Sequence, residues 1–142
     1  MIDARLGEVD RSVDEVEVAR VVAKAEKFGT TADAAVKTWR DLILAAHADG
    51  KSVVLWGASS KAVGFLSAIG VDHAVDAAVD INPFKQGKFL PGSGHPVIGP
   101  EALTDIKPEL VIVMNPIYLP EIKEMLGELG LRPDVRALGV EA

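Results

Sequence analysis

The chain has no cysteine among its 142 residues. That excludes a disulfide framework, thiolate catalysis and cysteine-ligated zinc. Histidine is scarce as well. The 3 histidines, His47, His73 and His95, lie far apart in sequence without ligand spacing, so no metal site is expected. Lys and Arg form no cluster, and the net charge is -6 with a pI of about 5.0. An acidic surface opposes nucleic-acid binding, which needs grouped cations. No apolar run approaches the ~20 residues that span a bilayer. The polar start, Met1 to Arg5, is unlike a secretion signal. A cytoplasmic protein without membrane attachment is expected. Neither a Ser-His-Asp nor a Cys-His arrangement can be assembled, and no loop carries close paired carboxylates, so no catalytic residue is assigned.

What is present is a folding composition. Hydrophobic residues make up 49% and charged residues 25% of the chain, enough for one domain with a real core. Residues 10–27 place Val13, Val16, Val18, Val21, Val22 and Ala25 among charges at roughly helical spacing. Thr30 and Thr31 are candidate caps for a helix over 32–48, with Ala35, Val36, Trp39, Leu42, Ile43 and Ala46 on one stripe. Gly50 closes it. Ser52 to Trp56 and Glu109 to Met114 are continuous apolar runs, as expected for strands covered on both faces. Ala74 to Ile81 reads as a further strand. Lys61 to Ile69 and Pro120 to Leu129 read as helices closed by Gly70 and Gly130, a short helix starts at Pro100, and Val135 to Leu138 is a last short strand.

Strands alternating with helices predict right-handed crossovers. The expected fold is α/β: a Rossmann-like three-layer α/β/α domain over residues 31–142, with a mostly parallel sheet of about four to five strands. Residues 1–30 are expected to form an N-terminal helical arm, with a linker near Phe28 to Thr31.

Such sheets bind ligands at the carboxyl ends of their strands. Three segments should converge there. The turn Gly57-Ala58-Ser59-Ser60-Lys61 opens a helix, whose free N–H groups favour an anion. It lacks the full G-x-G-x-x-G fingerprint, and reads equally as a tight turn capped by Ser60. Asp80 follows at the spacing, about 20 residues, where an acidic side chain takes ribose hydroxyls; it could instead accept hydrogen bonds from its own loop. Asn115 and Tyr118 follow the strand at Glu109 to Met114. Asn115 before Pro116 is also a turn former, and Tyr118 suits stacking and packing equally.

The segment Asp80 to Val97 is unusually rich in polar residues and glycine. Folding alone does not call for so much of either, so Asn82, Lys85, Gln86 and His95 join the candidate binding residues. His95 could equally be a capping residue held in a turn.

Three stretches carry a family resemblance: Val54-Leu55-Trp56-Gly57-Ala58-Ser59-Ser60-Lys61-Ala62, Asp80-Ile81-Asn82-Pro83-Phe84-Lys85-Gln86-Gly87 through Pro91-Gly92-Ser93-Gly94-His95-Pro96, and Lys107 to Pro116. Together they resemble the C-terminal domain of S-adenosylmethionine-dependent sugar C-methyltransferases of deoxysugar and antibiotic biosynthesis, from about Ala32 to Leu138. The resemblance implies a full enzyme with a zinc-binding segment, a central domain that holds the methyl donor, and this domain enclosing a nucleotide-linked keto-sugar. The cysteines of the zinc segment are missing here, and no donor domain precedes the first strand. The chain is therefore expected to be a substrate-binding module, incomplete as a catalyst, that works with a catalytic methyltransferase domain in cis or in trans. S-adenosylmethionine is implied for the full enzyme only. Two other readings stay open: a stand-alone nucleotide- or S-adenosylmethionine-binding domain, and an interaction or oligomerisation module, with which a homodimer is compatible.

Overall fold

The computed structural model describes residues 33–139. The helix expected over 10–27, the Thr30 and Thr31 caps, and the boundary and linker near residue 30 lie outside those residues. The chain divides into two compact units, Met1–Lys37 and Thr38–Ala142, and the fold described is that of the second.

Five strands form one sheet: β1 (Val53–Trp56), β2 (Ala77–Val79), β3 (Val97–Ile98), β4 (Leu110–Val113) and β5 (Asp134–Ala137). Their order is β3-β2-β1-β4-β5, and every pairing is parallel. In the centre, Leu55 lies beside Ala78 on one flank and Ile112 on the other. Helix α1 covers 33–48. It is followed by α2 (Ser60–Ile69), the short α3 (Leu103–Ile106) and α4 (Leu119–Glu128).

Alternation along the strands sorts the core into two faces. Val54, Trp56, Val79, Val111 and Val113 pack with Leu103 of α3 and Ile122 and Leu126 of α4. Val53, Leu55, Ala78 and Ile112 point the other way, toward α2, which buries Ala62, Leu66 and Ile69. On that side α1 buries Trp39 and Ile43, and the Trp39 ring meets Phe65 of α2 edge to face at 6.0 Å. Full burial of each such aliphatic chain contributes roughly 1.5–3 kcal/mol. The unbroken apolar runs of β1 and β4 thus have a cause: both sheet faces are covered.

The second strand is shorter than the expected Ala74 to Ile81. Asp72–Ala74 forms a 3-10 turn instead, in which Val75 N–H donates to the Asp72 carbonyl, so β2 starts at Ala77. β3 adds a fifth strand to the four that apolar patterning marks out. It owes its place to a hairpin that accounts for the glycines of the long loop. Leu90 N–H donates to His95 O at 2.8 Å, and Val97 N–H to Lys88 O at 2.8 Å. The turn between them uses positive φ at Gly92 (+84°) and Gly94 (+76°), where only glycine is unstrained. Residues 87–90 therefore run antiparallel along β3 and cover the edge of the sheet.

Candidate functional site

After β1 the chain moves to β2 on one side, whereas β4 and β5 lie on the other. The crossovers on the two sides pack on opposite sheet faces, so a gap is left at the carboxyl ends of β1 and β4. A crevice of about 440 Å³ occupies it. Its floor is apolar: Trp56, Val113, Met114, Ile122 and Met125. Its polar groups come from three loops and two helices: Ser59 after β1, Lys61 in the first turn of α2, Asp80 after β2, Asn115 and Tyr118 after β4, and Glu121 in the first turn of α4.

Gly57 makes the turn tight. Its φ is +119°, and a Cβ there would stand 3.2 Å from the Cβ of Met114. Its N–H donates to Val79 O at 2.7 Å, which ties the turn to β2. Two residues on, Ser59 takes the cap position of α2 without a side-chain capping bond, and Ser60 is the first helical residue rather than the cap. In a dinucleotide fingerprint the position of Ser59 is a glycine over which the pyrophosphate passes.

Asp80 holds the turn from the other side. One carboxylate oxygen accepts Ala58 N–H at 3.0 Å, and the other accepts Asn82 N–H at 2.9 Å. The Lys85 ammonium lies 3.7 Å from the same carboxylate and donates to the Ala58 carbonyl at 3.3 Å. Gln86 donates to the Asp80 carbonyl at 2.8 Å. Asp80, Lys85 and Gln86 thus lock the loop after β2 to the turn after β1. Asn82 accepts Phe84 N–H at 3.0 Å and shapes the same loop. The Asn115 side chain accepts Ile117 N–H at 3.2 Å, which orders the 3-10 turn Pro116–Tyr118 and leaves its amide N–H groups for the crevice.

Of the residues singled out from the sequence, Gly57, Ser59, Lys61, Asp80, Asn115 and Tyr118 line the crevice. Ser60 and Lys85 border a neighbouring hollow that shares Ser59 with it. Asn82 and Gln86 stand behind, bonded to the loop. His95 is elsewhere. Its Nε2 donates to the Asp72 carbonyl at 2.7 Å, at the amino end of β2. The ring is buried, and Nδ1 has no partner among the described residues. His95 therefore pins the hairpin to the turn before β2. His95→Leu should cost about 1–2 kcal/mol in urea denaturation, the worth of that bond with its carbonyl left unpaired. Ligand affinity at the crevice should not change. The other histidines come close to the same place: His47 and His73 meet edge to face at 5.5 Å. Even so, the described residues contain no group of three side chains able to hold a metal ion.

Glu121 and Met125 were missed by sequence reasoning. Both follow a helical pattern in which one is a solvated acid and the other a core residue. Only the adjacency of β1 and β4 brings α4 to the crevice.

Chemically, the site offers an apolar floor for a flat or deoxygenated group, a lysine and a helix N-terminus for an anion, and a carboxylate and an amide for hydroxyl or carbonyl groups. It offers no nucleophile beside a base. No helix among the described residues is long and apolar enough to cross a membrane.

The chain is 37% identical over 96 residues to the C-methyltransferase NovU of Streptomyces niveus, an alignment covering 64% of this chain. It spans less than a quarter, 23%, of that relative's length. The sequence profile of the C-methyltransferase C-terminal domain matches residues 6–130. With nearly the whole chain inside that match, the protein belongs to the C-methyltransferase C-terminal domain family.

Proposed function

We propose that the crevice binds the nucleotide-sugar acceptor of an S-adenosylmethionine-dependent C-methyltransferase, and that the chain is not a complete catalyst without a methyltransferase domain in cis or in trans. The observation that carries this reading is the convergence of Lys61, Asn115, Tyr118 and Glu121 around an apolar floor at the switch point of the sheet. Lys61 and the start of α2 would meet the diphosphate. Asn115 and Glu121 would meet hydroxyl or carbonyl groups. Trp56, Met114 and Met125 would receive the poorly hydroxylated face of a deoxysugar, or a base. A place in deoxysugar biosynthesis, in the cytoplasm, belongs to the same reading.

The alternative of a dinucleotide or S-adenosylmethionine ligand is weaker on two observations. Ser59 stands where such a site has glycine. The Asp80 carboxylate, which would take ribose hydroxyls, already accepts two backbone N–H groups. No chemical step on the methyl donor is assigned to this chain. The donor supplies an electrophilic methyl group wherever the full enzyme holds it.

Isothermal titration of the full chain with a thymidine diphosphate sugar tests the reading. Tyr118→Ala should weaken binding about tenfold, the order of one aromatic contact. Tyr118 is 52% exposed, so the melting temperature should barely move. No heat with the sugar nucleotide, combined with stabilisation by NAD or S-adenosylmethionine, would count against it.

A further inference from the structure

A border strand exposes a row of backbone donors and acceptors, which proteins cover, charge or pair. Residues 87–90 cover the sheet at β3. The β5 border differs: among the described residues no strand lies beyond it. Asp134 N–H donates to the Glu109 carbonyl and Leu138 N–H to the Val113 carbonyl, both on the β4 side. Alternation along the strand turns the N–H and C=O groups of Val135 and Ala137 the other way, out of the sheet. Pro133, the preceding outward position, has no N–H to leave unpaired there.

The side chains alternate as well. Val135 and Ala137 pack with the core on the α4 face. Asp134 and Arg136 share the opposite face, the Arg136 Nε donating to the Asp134 carboxylate at 3.1 Å, and both side chains reach solvent. Charge on a border strand ordinarily keeps a second strand away. Here the two charges are opposite in sign and two residues apart. A copy of the strand running the other way presents each charge with its opposite.

We infer that β5 is the contact between two copies of this chain, paired antiparallel across a two-fold axis at Val135. The result is a continuous sheet with five strands from each copy. A two-fold contact must be complementary to itself. Centred on Val135, it sets Asp134 opposite Arg136 of the second copy, and Arg136 opposite Asp134. Centred on Asp134 or Arg136, it would set a charge against its own like, which is unfavourable directly across strands. Only outward-facing residues can exchange both backbone hydrogen bonds, and Val135 is one of them. In the same register Ala137 N–H meets the Pro133 carbonyl of the second copy. Because the strands run in opposite directions, the two crevices lie at opposite ends of the joined sheet. The contact therefore holds whatever the crevices bind.

Analytical ultracentrifugation of the full chain tests this. The parent should form a dimer whose share grows with concentration. Arg136→Asp leaves only acids on the charged face of β5, and Asp134→Arg leaves only cations. Each variant alone should self-associate about tenfold more weakly or worse, because like charges then face each other at both symmetric positions. Mixed, the two should pair with each other at parental strength, although the ion pair within each strand is broken in both. Circular dichroism should match the parent. Hydrogen exchange on the parent gives a reading that needs no variant: the Val135 and Ala137 amides should exchange several-fold more slowly as concentration rises. A chain still monomeric at about 0.1 mM would overturn the inference. So would a dimer of unchanged strength in both variants, or a mixture that associates no better than its parts. Protection of Val135 and Ala137 that ignores concentration would overturn it too, and would put the cover of this border within the same chain.

Discussion

Replacing Gly57 by Ala should destabilise the domain by about 2–4 kcal/mol, a large part of a typical 5–15 kcal/mol total. Two costs combine. The φ of +119° lies outside the region an L side chain adopts without strain, which costs on the order of 1–3 kcal/mol. The new Cβ would also stand 3.2 Å from the Met114 Cβ, and overpacking of a buried site costs about 1–3 kcal/mol. Met114 is 2% exposed and cannot swing into solvent. Urea denaturation of Gly57→Ala, Met114→Gly, which removes the opposing Cβ, and the double variant separates the two costs. The double variant should be more stable than the sum of the single effects by the contact part, while the φ part persists. The turn carries Ser59 and Lys61, so ligand affinity should fall along with stability. A Gly57→Ala protein within about 0.5 kcal/mol of the parent would contradict this turn geometry.

Asp80→Ala should be almost as costly, and for a different reason. Two backbone N–H groups, on Ala58 and Asn82, lose their acceptor. The first is partly buried, and an unpaired donor there costs about 1–3 kcal/mol. The second faces solvent, where water replaces the lost bond at little cost. The total should be about 2 kcal/mol, a fall in melting temperature on the order of 10 °C. Affinity for a thymidine diphosphate sugar should drop by more than tenfold, because the strut that aligns the turn after β1 with the loop after β2 is gone. Lys85→Met is the comparison. Its ion pair with Asp80 is half-exposed at 3.7 Å, so its loss should cost under about 1 kcal/mol. Asp80→Ala and Lys85→Met proteins of equal stability would mean that the carboxylate is not the strut.

The candidate site was only partly readable from sequence. Gly57, Lys61, Asp80 and Asn115 could be placed at strand ends because apolar runs mark where strands stop. What each side chain does there was not readable. Asp80 has the spacing of a ribose-binding acid, yet its oxygens hold Ala58 and Asn82 N–H groups. His95 stands in the most distinctive motif of the chain, yet it faces Asp72 at the far end of β2. The hairpin turn at Gly92 and Gly94 reverses the chain between Leu90 and His95, and a reversal of direction leaves no trace in residue type. The signal for β3 is only two residues long, Val97 and Ile98, too short for periodicity to register.

The sequence alone determined the layer plan. Apolar runs at β1 and β4 can be buried only when both sheet faces are covered, and amphipathic helices between strands force parallel crossovers. Glycines at helix ends set where α2 and α4 stop, because those signals act within a few residues. Tertiary structure decided which strands became neighbours and what met across them. With β4 beside β1, α4 brings Glu121 and Met125 to the crevice, Met114 packs against Gly57, and the loops after β1, β2 and β4 meet at one crevice. Strand order and loop-to-loop hydrogen bonds depend on contacts far apart along the chain, and local patterns of residue type carry no record of those contacts.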